Sequence, residues 1–185
     1  MFNGGVLTDG KMIQEIQSGV IIIDDFDPGR LNPNSYNLRL GNKVLVYTDE
    51  VLDAKKKNNY KEIIIPEDGM IFKPGELYIA ETIERTFGGP YIPVLEGRSS
   101  IGRLGVYIHV TAGWGDIGFN GKWTLEISTV KPVKLYPGME ICQYTLYTPY
   151  GTCLIPYHGK YQNQDGAVAS KIEKDLEEGK GYLKE

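Results

Sequence analysis

Between residues 44 and 147 the chain is cut into short apolar runs by glycine, proline, asparagine and aspartate, and this punctuation limits the fold more than any other feature. Val44–Tyr47, Ile63–Ile65, Leu77–Ala80, Tyr91–Leu95, Val106–Val110, Trp123–Thr129 and Met139–Tyr147 each read as a strand. No helical pattern alternates with them, which argues for a sandwich or jelly roll rather than β-α units. The 13 tyrosines, 23 glycines and 10 prolines fit a β-rich chain. A short helix is expected near the start: Thr8 caps it, Met12, Ile13 and Ile16 share a face, and Gly19 ends it. Asp24–Asn37 reads as a turn-rich stretch and Asp49–Asn59 as a charged loop with Lys55–Lys57 in solvent. From Gly151 the chain turns polar and ends in the charged segment Lys171–Glu185, where Ile172 and Leu176 can share one face of a short helix. A length of 185 residues suits one domain over 1–185, with 151–185 as C-terminal flap and tail.

A net charge of -4 argues against a partner that is a nucleic-acid polymer. An anionic small ligand would need a local basic cluster. Two cysteines, Cys142 and Cys153, do not make a disulfide framework. Neither a signal peptide over Met1–Gly10 nor an apolar stretch of membrane-spanning length is evident, so a cytoplasmic protein is expected.

Four segments carry chemistry. In Glu96-Gly-Arg98-Ser99-Ser100-Ile101-Gly102-Arg103, two arginines and two hydroxyls follow a strand. Guanidinium forks and hydroxyls suit phosphate oxygens, while a polar turn opening a helix explains the same residues equally well. His109–Gly121 reads as a Gly-rich hairpin with one carboxylate, Asp116, among aromatics; it shapes a pocket or is merely a turn. In Trp123–Thr129, period two places Trp123, Leu125 and Ile127 on one side and Thr124, Glu126 and Ser128 on the other. Glu126 is then a solvent-facing edge residue or a partly buried general base. Gly159–Ser170 reads as a flexible polar flap or a disordered tail.

Together these segments resemble the dCTP deaminase family of the trimeric dUTPase-like superfamily, from about Leu7 to Asp175. The motifs are Arg98-Ser-Ser-Ile-Gly-Arg103, His109-Val-Thr-Ala112, Asp116-Ile-Gly-Phe-Asn-Gly121, Thr124-Leu-Glu126, Tyr136-Pro-Gly-Met139 and Lys160-Tyr-Gln-Asn-Gln164-Asp-Gly-Ala-Val-Ala-Ser170. The resemblance implies a distorted β-barrel or jelly roll and a homotrimer with sites at subunit interfaces. It implies that Arg98, Ser99, Ser100 and Arg103, with Ile101 and Gly102 between them, bind the triphosphate, which arrives with Mg²⁺. It implies Asp116 at the deoxyribose 3′-hydroxyl, and Thr124, Leu125 and Glu126 lining the base pocket. Gln143 also contacts substrate, and Tyr157, Lys160 and Gln164 come from a closing flap. Glu126 is the implied catalytic proton shuttle, with Thr111, Ala112 and Ser99 near the attacking water. No zinc is expected: His109 is not followed by x-Glu, and Cys142 and Cys153 do not form C-x-x-C.

Two departures stand out. Asn37 in Ser35-Tyr-Asn-Leu-Arg-Leu-Gly41 replaces a common acid, which is expected to alter subunit contacts, and Gly115 replaces a common isoleucine, which is expected to loosen the hairpin. The leading expectation is release of dUTP and ammonia. The alternative within the family cleaves the dUTP to dUMP and pyrophosphate with Asp116 activating water; Ala112-Gly113-Trp114 and Gln143 resemble those two-step relatives. A pure dUTPase would need neither Glu126 nor the Lys160–Ser170 match, and a non-catalytic nucleotide sensor would not need an intact Glu126. Feedback inhibition by dTTP, through rearrangement of His109–Ala112, is a further implication.

Overall fold

In the computed structural model, residues 4–109 and 111–179 are described. Helix α1 (Asp9–Gln17) is followed by β1 (Ile22–Ile23), a 3-10 turn (Pro28–Arg30), β2 (Leu31–Asn32), β3 (Ser35–Tyr47), β4 (Tyr60–Ile64), β5 (Met70–Phe72), β6 (Tyr78–Phe87) and β7 (Ile92–Gly97). Then come α2 (Ser99–Gly102), β8 (Val106–Tyr107), β9 (Asn120–Thr129), β10 (Val133–Leu135), β11 (Glu140–Tyr147) and α3 (Ile172–Glu177). Every strand pairing is antiparallel. One sheet runs β7-β11-β3-β6-β9-β8, with β1 on β6 and β2 and β4 on β3; β5 and β10 form a separate pair. This is the mainly β architecture that the spacing of the runs implied, in the barrel-like form that the resemblance implied.

All seven expected strands are present, but their lengths differ. The fifth shrinks to β8, and its last residue, Val110, lies outside the described residues, as do 180–185 of the charged tail. The largest correction concerns Asp24–Asn37. Its end is not a turn but the start of the 13-residue β3, with Ser35, Tyr36, Asn37 and Leu38 all buried. Polar residues are tolerated there because each has a partner. Asn37 Nδ2 donates to Glu140 Oε2 at 2.8 Å, Asn32 Nδ2 donates to Asn37 Oδ1 at 2.8 Å, and Gln143 Nε2 donates to Ser35 Oγ at 2.9 Å. Thr8 sits at the start of α1 without a side-chain cap bond, and Met12 is the helix residue buried in the core.

The core fills the barrel with Tyr36, Leu38, Phe72, Leu125, Ile127 and Tyr144. Beside it lies one ionic centre. The Glu84 carboxylate is fully buried and receives Arg39 Nε at 2.6 Å, the Arg39 backbone N–H at 2.9 Å and Arg30 Nη1. Arg30 also donates to the Asp25 carbonyl. Glu84 thereby ties the 3-10 turn and β3 to β6. None of the described helices is long and apolar enough to cross a membrane.

Removing one partner of a buried ion pair leaves its mate desolvated and unpaired. Glu84→Ala strands Arg30 and is expected to destabilise the protein by about 3–5 kcal/mol, read as a lower urea midpoint at unchanged slope; an unshifted midpoint would show that the cluster contributes nothing.

Candidate active site

Strand β9 alternates strictly: Trp123, Leu125 and Ile127 are buried, while Thr124, Glu126 and Ser128 are half-buried on the other face. Its register with β6 sets Ile79 opposite Glu126 and Glu81 opposite Thr124. Cross-strand partners share a face, so these four side chains line one surface. Ile79, Thr124 and Glu126 on that surface form the floor of a cleft of about 1050 Å³, whose lining does not include Glu81.

The loop after β8 forms one wall. His109, only 8% exposed, brings Nδ1 against Glu126 Oε2, while the Glu126 carboxylate remains 36% exposed to the cleft. Downstream the loop is pinned to β7: Leu95 N–H donates to Gly113 O at 2.8 Å and Gly115 N–H to Pro93 O at 2.8 Å. Gly115 does not loosen this segment, contrary to the expectation. A Cβ placed there would meet Trp123 Cη2 at 2.4 Å and Pro93 Cγ at 2.9 Å, so glycine lets the loop press onto the core. Asp116 follows at the cleft edge, its carbonyl accepting the Phe119 N–H at 3.2 Å. Beneath it Phe119 packs against Trp123 at 4.6 Å and Tyr157 at 6.0 Å.

The opposite wall is the stretch 157–170. It is neither a detached flap nor a loose tail, because it docks along the outer edge of β9. Tyr157 N–H donates to Ile117 O at 2.7 Å, Asn163 N–H to Asn120 O at 2.8 Å and Lys122 N–H to Gln164 O at 3.0 Å. Gln164 Nε2 donates to Lys122 O at 2.7 Å and Thr124 Oγ1 at 3.1 Å. Lys122 Nζ reaches Asp165 at 2.9 Å, and this hydrogen bond holds the Asp165 carboxyl below the ordinary aspartate range. Lys160 pairs with Asp175 of α3, so the helix expected around Ile172 and Leu176 also faces the cleft.

The expected site residues therefore fall into two groups. Ala112, Asp116, Thr124, Glu126, Tyr157, Lys160 and Gln164 line the cleft. Arg98, Ser99, Ser100, Ile101, Gly102 and Arg103 do not. The segment is a single helical turn off β7, with Ser99, Ser100, Gly102 and Arg103 exposed and Ile101 buried. Arg98 pairs with Glu140, Nη2 to Oε2 at 2.9 Å and Nη1 to the carbonyl at 3.0 Å. Gln143 belongs to this second neighbourhood, paired across the strands with Glu96 and Asn37. Thr111 is exposed outside the cleft lining. The Leu125 side chain points into the core and is 0% exposed, so only its backbone can serve a pocket. His109 as the partner of Glu126, and Asp175 as the partner of Lys160, were not singled out from sequence; both contacts span loops whose paths the sequence does not encode locally. Among the described residues, no three His, Cys, Asp or Glu side chains are grouped to hold a metal. Cys142 is buried in β11 and burial raises its thiol pKa, whereas Cys153 is exposed.

A mainly β, barrel-like sheet that carries a half-buried carboxylate in a strap-covered cleft defines a class of β-barrel protein with its cleft on one face of the sheet. Within that class the chain belongs to the dCTP deaminase family: residues 6–148 match the family described as dCTP deaminase-like. It is 50% identical over 171 residues to the dCTP deaminase, dUMP-forming, of Clostridium acetobutylicum, covering 92% of this chain and 99% of that one. Identity is also 50% to the protein of the same name from Hathewaya histolytica, over 172 residues, with 93% and 100% covered. The crystal structure of 2'-deoxycytidine 5'-triphosphate deaminase from Agrobacterium tumefaciens shares the fold at TM-score 0.63 and 21% identity, covering 79% of this chain and 49% of that one.

Gly115→Ala tests the tight seat of the loop. Overpacking against Trp123 is expected to destabilise the protein by roughly 1–3 kcal/mol, seen as a lower melting temperature; an unchanged melting temperature would mean that the loop yields freely there.

Proposed function

We propose that this enzyme converts dCTP to dUMP in one cleft, by hydrolytic deamination followed by cleavage of the triphosphate. The observation that carries the first step is Glu126: a carboxylate partly out of water, aimed into a cleft and held at one oxygen by His109. Water adds poorly to an aromatic amidine at neutral pH, and an amino group leaves poorly unless protonated. A single carboxylate serves both needs. Glu126 takes a proton as the water oxygen bonds to cytosine C4, N3 gains a proton, and a tetrahedral adduct forms. The amino nitrogen then collects a proton through Glu126, the C4–N bond breaks, and ammonia departs: dCTP and water become dUTP and ammonia. His109 leaves one carboxylate oxygen free for this shuttle and fixes the direction of the other.

The second step rests on the relatives of half-identical sequence, whose names specify dUMP as product. They move the balance from dUTP release, the leading expectation from sequence, towards the two-step reaction. In this reading Asp116 activates a second water, which its position in the cleft lining supports. Attack at the α-phosphorus breaks the bond to the bridging oxygen and releases pyrophosphate. Mg²⁺ belongs to the substrate here, travelling with the triphosphate. The separation of Arg98–Arg103 from the cleft supports the implied homotrimer, with a neighbouring copy supplying the phosphate-binding turn. In the same reading dTTP competes for the cleft and acts through the His109–Ala112 wall.

Incubation with dCTP and Mg²⁺, with products resolved by ion exchange, is expected to yield dUMP, pyrophosphate and ammonia. Accumulating dUTP would restrict the enzyme to the first step, and no turnover would overturn the reading. Glu126→Gln should lower kcat by about 10²–10⁴-fold. Asp116→Asn should keep releasing ammonia while dUTP accumulates.

A further inference from the structure

Glu81 plays no part in the chemistry above, yet it is a charged residue with 9% exposure between buried Ala80 and Thr82. An isolated carboxylate in such a place is costly unless it is hydrogen-bonded. Its Oε2 accepts the backbone N–H of Ala167 at 2.8 Å, across 86 residues of sequence. Two glycines make room for it. A Cβ on Gly41 would lie 2.5 Å from Glu81 Cγ, and a Cβ on Gly166 would lie 2.8 Å from Oε2. Gly166 also holds φ +136°, a backbone conformation L side chains rarely adopt. The ladder between β6 and β9 is irregular just beyond Glu81, as is the ladder between β3 and β6 at Leu40–Val44. Next door, Thr124 Oγ1 accepts both Gln164 Nε2 at 3.1 Å and the Val168 N–H at 3.3 Å.

We infer that Glu81 is a positioning residue, a latch on β6 beside the cleft that holds the 157–170 strap against the sheet before substrate arrives. The strap carries Tyr157, Lys160 and Gln164 into the cleft; its distal half meets the sheet at Lys122 through Gln164 and Asp165, at Thr124 through Gln164 and Val168, at Tyr47 through Ser170, and at Glu81 through Ala167. A side-chain carboxylate accepting a main-chain N–H fixes the strap whatever its side chains are. With the strap already ordered, binding does not have to pay the full entropy of closing it. The consequence for substrate rests on the dCTP-hydrolysing reading; the consequence for strap order does not.

The test is hydrogen–deuterium exchange on the nucleotide-free full chain, followed by steady-state kinetics with dCTP. In Glu81→Ala, amides of 164–168 should exchange about tenfold faster while β6 and β9 remain protected, and KM for dCTP should rise about tenfold with kcat within about twofold. Glu81→Gln should restore both values, because an amide carbonyl accepts the same N–H. Gly166→Ala, which crowds Oε2 from the strap side, should loosen 164–168 as Glu81→Ala does and serves if that variant fails to fold. Unchanged strap exchange in Glu81→Ala, or equal loosening of strap and sheet, would overturn the latch. Faster strap exchange in a protein whose parent chain does not turn over dCTP would uphold the latch and sink the functional reading instead.

Discussion

The pairing of β9 with β6 is the constraint on which the rest of the structure depends. Because successive strand side chains point to opposite faces, the same residues that bury Trp123, Leu125 and Ile127 must present Thr124 and Glu126 to the cleft. A shift of one residue in that register would place Glu126 in the core and Leu125 in water. Core packing and site chemistry are therefore two faces of one choice, and the apolar face pins the carboxylate far more firmly than its own contacts do.

A second constraint is polar. Glu84 gathers Arg30 and Arg39 in a buried cluster, and the Asn32–Asn37–Glu140–Arg98 chain runs close by through β3 and β11. Asn37 acts as donor to Glu140, an anion that already pairs with Arg98; an acid at position 37 would face Glu140 with like charge. The substitution expected to disturb subunit contacts thus has a role within the chain. Arg98 is held by this chain at the base of the α2 turn, away from the Glu126 cleft.

The strap joins these parts. It is bonded to β9 at Asn120, Lys122 and Thr124 and to β6 at Glu81. The docked strap also packs Tyr157 against Phe119 and the core. A segment so polar supplies little hydrophobic drive of its own; it is ordered because its hydrogen-bonding groups meet matched partners on a sheet that is already rigid.

Local information was enough for much of this. Period-two alternation located β9 and put Glu126 on the face opposite Leu125, and the glycine and proline punctuation announced a β architecture. Alternation failed at Ser35–Leu38, where both faces are buried and polar residues are satisfied by partners far along the chain, so the start of β3 looked like a turn. Asp116, Lys160 and Gln164 came from the resemblance of their motifs to a family; on residue type alone a turn and a tail explained them. Tertiary structure alone decided that His109 meets Glu126, that Glu81 meets Ala167 and that Arg98–Arg103 stands apart from the cleft. These contacts join residues 17 to 86 positions apart, or separate residues that are close in sequence. Only the folded register brings such groups to, or keeps them from, one surface.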